Sequence, residues 1–326
     1  MRRLTIFTLL ALAAFFFVAS PATAYDRVAG KPAIVLAAFG TTELSALNSF
    51  QNIIAQVEKA FPDYEVHIAF TSNIIRKIWH DRYDDGDFDK KNPGVDTRFY
   101  EIGNVLTELA KIQERGADII LVQSLHITDG EEYEDVKNLV STVQKIKTYQ
   151  PSLTPFPWIG LGVPALGEGD GPAKEIAAAT KALESIVNEA KSKNAALVLM
   201  GHGNEKLTQK VYGKLQKSLR DAYGPQIYVG TVEAPPHAPE ILAELNKSTS
   251  AVNPKKILLT PLMIVAGDHA HNDMAGDEPD SWASVFKAGG YEVESRLIGL
   301  GLNNDWVNIY INHLKALEAK VKAQKK

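Results

Sequence analysis

The chain has 326 residues, 45% hydrophobic and 23% charged, a balance that excludes a disordered or collagen-like protein. It has no cysteine, which excludes disulfides, thiolate nucleophiles, iron–sulfur clusters and Cys-based zinc sites, and leaves His, Asp, Glu and backbone oxygen for any metal. Its 35 basic and 39 acidic residues give a formal net charge of −4, so there is no electrostatic footprint for nucleic acid.

Arg2 and Arg3 precede an apolar run from Leu4 to Ala19, and Pro21-Ala-Thr-Ala24 follows before Tyr25. This is the pattern of a secretory signal peptide with a small-residue cleavage site, so residues 1–24 are expected to be removed on export. The run, about 16 residues, is short of the roughly 20 that a spanning helix needs. No other stretch is long and apolar enough, and a periplasmic protein without a stable membrane span is expected. A cysteine-free exported chain suits an oxidising compartment.

From Lys31 onward, short apolar runs alternate with long amphipathic stretches, the pattern of parallel βαβ units. Strands are expected at Ala33–Ala38, Glu65–Phe70, Asp118–Gln123, Trp158–Leu161, Ala196–Met200, Gln226–Val232, Lys256–Pro261 and Glu292–Ile298. Most are near-continuous apolar runs, as in strands covered on both faces. Helical periodicity is clearest over Leu44–Ala60, Phe99–Arg115, Ala173–Lys191, Lys206–Ala222 and Trp306–Lys322. The run Asp81–Gly94 has no apolar period and is expected to be a surface loop; its acidic spacing lacks the twelfth-position Glu of an EF-hand. The glycines at Gly160, Gly162, Gly167, Gly169 and Gly171 do not form a GxGxxG turn after a first strand, so no nucleotide site is expected.

The chain also repeats itself. Ile34–Gly40 matches Leu197–Gly203, Val66–Thr71 matches Tyr228–Glu233, and Ile120–Gly130 matches Ile257–Gly267. An α/β fold of two similar lobes facing across a cleft is expected, each a parallel sheet flanked by helices. The first lobe would run over residues 25–168 and the second over 169–326, with the C-terminal helix able to pack back on the first. The alternative is that any two βα arrays look alike at this level.

Ligands of open parallel sheets bind at the carboxyl ends of strands. At those ends Phe39 is answered by His202, Thr71 by Glu233 and Glu132 by His269. His202, Glu233 and His269 thus meet on one edge of the second sheet, two imidazoles and a carboxylate suited to a borderline divalent metal. The plainer readings are that each His is a capping or core residue, that Glu233 before Ala-Pro-Pro caps the next helix, and that His271 and Asp273 orient their loop. His67, His80, His237 and His313 read as structural or surface residues. His126 lies at a strand end facing the same cleft.

At these residues the chain resembles a known family. The strings Leu199-Met-Gly-His-Gly-Asn-Glu205, Val229-Gly-Thr-Val-Glu233 and Thr260-Pro-Leu-Met-Ile-Val-Ala-Gly-Asp-His-Ala-His-Asn-Asp-Met274, then Asp280-Ser-Trp282, are similar to anaerobic-type (class II) sirohydrochlorin cobaltochelatases. Ala38-Phe-Gly-Thr-Thr42 and Leu125-His-Ile-Thr-Asp-Gly-Glu-Glu-Tyr133 fit as well, and the likeness spans about Lys31 to Leu317. It implies a chelatase-like fold and a lyase of the cobalamin type, with the family's metal-binding and catalytic residues falling on His202, Glu233 and His269. The implied substrates are Co²⁺, alternatively Fe²⁺, and a tetrapyrrole of the sirohydrochlorin class, whose carboxylates Arg76, Lys77 or Arg82 would pair with. The exported leader departs from the family's usual cytoplasmic setting. It keeps open a periplasmic carrier of metal or tetrapyrrole (haem included) without turnover, a solute-binding receptor, and assembly as a homo-oligomer.

Overall fold

The computed structural model describes residues 30–150, 153–204, 209–248 and 255–325; the expected signal peptide lies outside them. Among the described residues, eight strands form two four-stranded parallel sheets. β1 (Ala33–Ala38), β2 (Glu65–Phe70), β3 (Ile119–Ser124) and β4 (Trp158–Gly162) are ordered β2-β1-β3-β4. β5 (Ala196–Gly201), β6 (Ile227–Thr231), β7 (Lys256–Pro261) and β8 (Glu292–Ser295) are ordered β6-β5-β7-β8. The expected two-lobed α/β fold is therefore present, and the same strand order recurs in both lobes.

Register sharpens the repeat. Thr71 N donates to Ala38 O and Ser72 N to Phe39 O; in the second lobe Val232 N donates to Gly201 O and Glu233 N to His202 O. The counterpart of Glu233 is thus Ser72, not Thr71, a one-residue correction that strand hydrogen bonding fixes and the loose string match could not. The pairs Phe39/His202 and Glu132/His269 keep their register: Leu125 N donates to Ala37 O just as Leu262 N donates to Met200 O.

The helices are α1 (Leu47–Ala60), α2 (Asn73–Asp84), α3 (Phe88–Lys91), α4 (Val105–Glu114), α5 (Glu131–Val143), α6 (Ala173–Ala182), α7 (Glu184–Ser192), α8 (Gln209–Tyr223), α9 (Ala238–Lys247), α10 (Trp282–Ala288) and α11 (Asn304–Lys325). The surface loop expected over Asp81–Gly94 instead carries the end of α2 and the short α3. Its anchor is Phe88, which packs edge-on against Trp79 and Tyr100. The helix expected from Phe99 starts only at Val105, where Asn104 Oδ1 accepts from Thr107 N at 2.9 Å and caps it. The strand expected to reach Ile298 ends at Ser295.

Alternation along the strands divides the core into three layers. Ile34 and Leu36 of β1 and Leu197 and Leu199 of β5 share one central cluster with α1, α6, α7, α8 and α11. Ala33 and Val35 face a separate outer cluster with α4 and α5, and Val198 and Met200 face another with α9 and α10. The two lobes are fused through the central layer. α11 fills it with a stripe of Trp306, Tyr310, Leu314, Leu317 and Val321, all buried. It lies against the first sheet, where a methyl on Gly160 would come 2.7 Å from Leu317 Cδ1 and where Tyr310 Oη donates to Leu125 O at 3.0 Å.

Candidate functional site

His202, Glu233 and His269 follow β5, β6 and β7, so three adjacent strands deliver them to one edge. A ligand atom from each lies within 4.8 Å of the others, and the two imidazole centroids are 4.9 Å apart with rings at 79°. After His202 the chain turns at Gly203 with φ of +82°, a left-handed conformation that side chains avoid. Gly40, its counterpart after β1, has φ of +112°. A methyl on Gly203 would also lie 2.5 Å from Thr231 Oγ1.

Glu233 owes its freedom to a local difference between the lobes. In the first lobe α2 begins immediately after Ser72, whose Oγ accepts from Ile75 N. In the second, Ala234-Pro-Pro-His237 intervene before α9; His237 is the N-cap residue, and its amide donates to Glu240 Oε2 at 3.1 Å. Glu233 is therefore not a helix cap, and its side chain is exposed beside the two histidines. The peptide bond between Pro235 and Pro236 is cis.

Both histidines have Nδ1 committed, and Nε2 of neither is bonded to another described residue. His202 Nδ1–H donates to Gly203 O at 3.0 Å, and His269 Nδ1–H donates to Asp273 Oδ2 at 2.6 Å across one turn. That turn is a π-helical segment, Ala270–Met274, in which His271 Nδ1 binds Gly267 O at 3.0 Å. A carboxylate behind an imidazole fixes the tautomer and raises ligand basicity, a usual arrangement behind metal-binding histidines.

His202 and His269 line a cleft of about 360 Å³ between the lobes, and Glu233 lies beside them. The walls of the cleft are mostly apolar, with Phe39, Ile74, Ile75 and Ile78 from the first lobe and Met263 to Val265 from the second. The lobes meet here in a pseudo-symmetric way: a methyl on Gly130 would lie 3.4 Å from Asn204 Nδ2, and one on Gly267 3.2 Å from Thr41 Oγ1. The polar groups in the wall include His126, Glu132 and Tyr212. Burial first, and the neighbouring His202 second, push His126 down to about 4. Burial pushes the Tyr212 hydroxyl up to about 12. A larger cavity of about 690 Å³, lined by His67, Tyr100, Arg98 and Arg115, lies along the outer edge of β2, away from the strand ends.

A family model described as cobalt chelatase (CbiK) matches residues 32–318. The chain belongs to the CbiK cobalt chelatase family. Among CbiK-type relatives, the sirohydrochlorin cobaltochelatase of Salmonella typhimurium is 30% identical over 289 residues, covering 87% of this chain and 95% of that protein. The sirohydrochlorin cobaltochelatase CbiKC of Nitratidesulfovibrio vulgaris is 30% identical over 286 residues, 88% of this chain and 90% of that one. Among solved structures, CbiX, described as the terminal enzyme for biosynthesis of siroheme in denitrifying bacteria, aligns with a TM-score of 0.45 and 13% identity over 88% of this chain and 99% of that one.

The structure of this CbiK-family chain brings together all three residues singled out from its sequence. It does not bring in Arg76, Lys77 or Arg82. Arg76 donates to Phe70 O and Thr71 O, Lys77 pairs with Asp81 on the surface, and Arg82 donates to Thr42 O while stacking on Trp79. His67, His80, His237 and His313 are held by Glu108, Ile102 O, Thr231 O and Val163 O respectively. Tyr212 was not singled out in the sequence: nothing in the spacing of α8 marks the one tyrosine whose ring reaches the cleft. Asp273 was seen only as a loop residue, although its i, i+4 spacing from His269 was there to be read.

Proposed function

We propose that this chain is a sirohydrochlorin cobaltochelatase, with His202, Glu233 and His269 receiving the divalent metal and presenting it to the macrocycle. The observation that carries this is the convergence of the three side chains from adjacent strand ends, with neither Nε2 bonded to another described residue. Family membership and relatives named for this reaction support it.

The reaction needs no covalent intermediate. The metal sheds water, bonds to the ring nitrogens form, and two pyrrole N–H protons leave. Two imidazoles and a carboxylate hold a borderline metal while leaving positions open for the incoming nitrogens. The apolar cleft wall keeps water from competing for the metal and strengthens the electrostatics inside. Among the described residues no Lys or Arg lines the cleft, and we place the substrate's carboxylates at its mouth, facing solvent.

Purified protein mixed with sirohydrochlorin and Co²⁺ should shift the tetrapyrrole absorption faster than buffer does; equal rates overturn the reading. The same donor set suits Fe²⁺, and a parallel assay with Fe²⁺ under anaerobic conditions ranks the two metals. Glu233→Gln keeps shape and removes charge, so it should weaken metal loading and slow insertion together. We also infer export, on the strength of Arg2, Arg3, the apolar run and Ala22-Thr-Ala24. A mature N-terminus at Tyr25 in the periplasmic fraction is the expected result. A carrier without turnover would bind Co²⁺ and tetrapyrrole but leave the absorption change no faster than buffer.

A further inference from the structure

The internal repeat places an approximate two-fold axis through the cleft. Thr41 and Asn204 hold equivalent places, two residues after Phe39 and His202, and Gly130 and Gly267 end the equivalent strings that follow β3 and β7. Gly130 faces Asn204 and Gly267 faces Thr41, so the contacts between the lobes exchange under the repeat. The end of β1 therefore stands across the cleft from the end of β5, each lobe contributing one half-site.

The half-site of the first lobe lacks most of the donors of the second. Phe39 stands where the second lobe has His202, and Ser72, which caps α2, stands where it has Glu233. Of the three positions only Glu132, the counterpart of His269, carries a group able to bind a metal.

What the first lobe offers instead is apolar and open. Phe39 is 47% exposed and Ile74 is 74% exposed, and both line the cleft. The cause lies in the chain after β2. The second lobe spends Ala234-Pro-Pro-His237 before α9 begins, and α9 does not reach the cleft. The first lobe has no such segment: α2 starts at Asn73, and its first turns run along the cleft with Ile74, Ile75 and Ile78 in the wall. Single apolar side chains on a surface are ordinary, but these share a concave wall with few polar groups, the form of a small-molecule site.

We propose that Phe39 and Ile74 are specificity-determining residues that seat the apolar face of the tetrapyrrole turned away from the metal, while the three donors of the second lobe act on the other face. The proposal rests on the chelatase reading above. A conjugated macrocycle has two flat apolar faces and carries its charge on the rim. A wall of phenyl ring and isoleucine matches such a face, and no described Lys or Arg lines the cleft to draw the rim inward. The ring then lies with its second face toward His202 and His269. Metal enters from that side alone, and a ring that cannot lie flat on Phe39 and Ile74 is rejected.

The test separates ring binding, metal binding and insertion in the full-length protein. Sirohydrochlorin binding is read without metal from the change in its fluorescence, Co²⁺ binding without tetrapyrrole by competition against a chromophoric chelator, and insertion from the absorption change. Phe39→Ala and Ile74→Ala should each weaken sirohydrochlorin binding and raise its KM about 10-fold, from the apolar contact each loses. Co²⁺ affinity should stay at the wild-type value, and kcat at saturating tetrapyrrole should stay within a few-fold. Leu106→Ala, at a leucine of α4 that is 48% exposed outside the cleft, should leave every constant unchanged. Wild-type affinity for sirohydrochlorin in either cleft variant overturns the proposal, as does an equal loss in Leu106→Ala. Loss of Co²⁺ affinity in the cleft variants, or a fall in kcat with ring binding intact, would put these residues on the metal side of the reaction and overturn it too. A wild type that binds sirohydrochlorin but inserts no cobalt removes the chelatase reading and this inference with it, a result distinct from an active wild type whose variants bind the ring unchanged.

Discussion

Asp273 illustrates how a side chain that touches no substrate can still govern a site. By accepting from His269 Nδ1 it leaves Nε2 as the only nitrogen available to a metal, and it makes that nitrogen a better donor. Asp273→Asn keeps the size but removes the charge, and Co²⁺ affinity should drop about 10–100-fold, read by competition against a chromophoric chelator. His126 adds a pH dependence to stability. Its folded pKa is held at about 4, mainly by burial, whereas in the unfolded chain it titrates near 6.5. Between those values the unfolded state binds the extra proton, so stability should fall as pH drops from about 6.5 to about 4 and be indifferent to this group above 6.5. Urea midpoints measured at pH 7.5, 5.5 and 4.5 should fall more steeply in wild type than in His126→Met; parallel curves would show that the imidazole is not the cause.

At the level of elements, the turn after β5 is the most exacting. Gly203 combines a left-handed backbone with close approach to Thr231, so Gly203→Ala should cost about 1–3 kcal/mol. It should also weaken Co²⁺ binding, because the displaced turn carries His202. The central strands were legible in the sequence because burial on both faces writes them as continuous apolar runs. α2 was missed although Ile74, Ile75, Ile78 and Trp79 recur at helical spacing; of these only Trp79 is buried, and the three isoleucines face the cleft. α5 was hidden behind Glu131, Glu132 and Glu134 in its first turn, although Tyr133, Val136, Val140 and Val143 do form a helical stripe. Of the site, the three donor residues were readable from where strands end. The path that frees Glu233, the bond from Asp273 and the placement of Tyr212 were not, because each depends on how loops and helices pack after the strands are set. The same blindness explains Arg76 and Arg82: a sequence shows a cation but not the carbonyl it is spent on.

Across the whole molecule, the lobes share the central layer of the core and α11 is its largest single contribution. Tyr310→Phe removes a buried bond to Leu125 O and should cost about 1 kcal/mol, while Leu314→Ala, at a fully buried position, should cost about 2–5 kcal/mol; chemical denaturation distinguishes the two. Because α11 covers β3 and β4 from the far end of the chain, the order of synthesis acquires a physical meaning. A ribosome that has released every residue of the first sheet still holds a lobe in which α1 covers the β1–β2 side of the central face but the β3–β4 side stays bare until α11 is made. The nascent N-terminal half should therefore stay open to protease until residues 304–325 have emerged, and then close in one cooperative step. Stalled chains ending at Asn303 and at Lys325, probed side by side with protease, should differ sharply in the survival of the first lobe, and equal protection would show that the half folds alone. A chain that cannot close before its last helix is made is also one that can be threaded through a narrow pore while it is being completed.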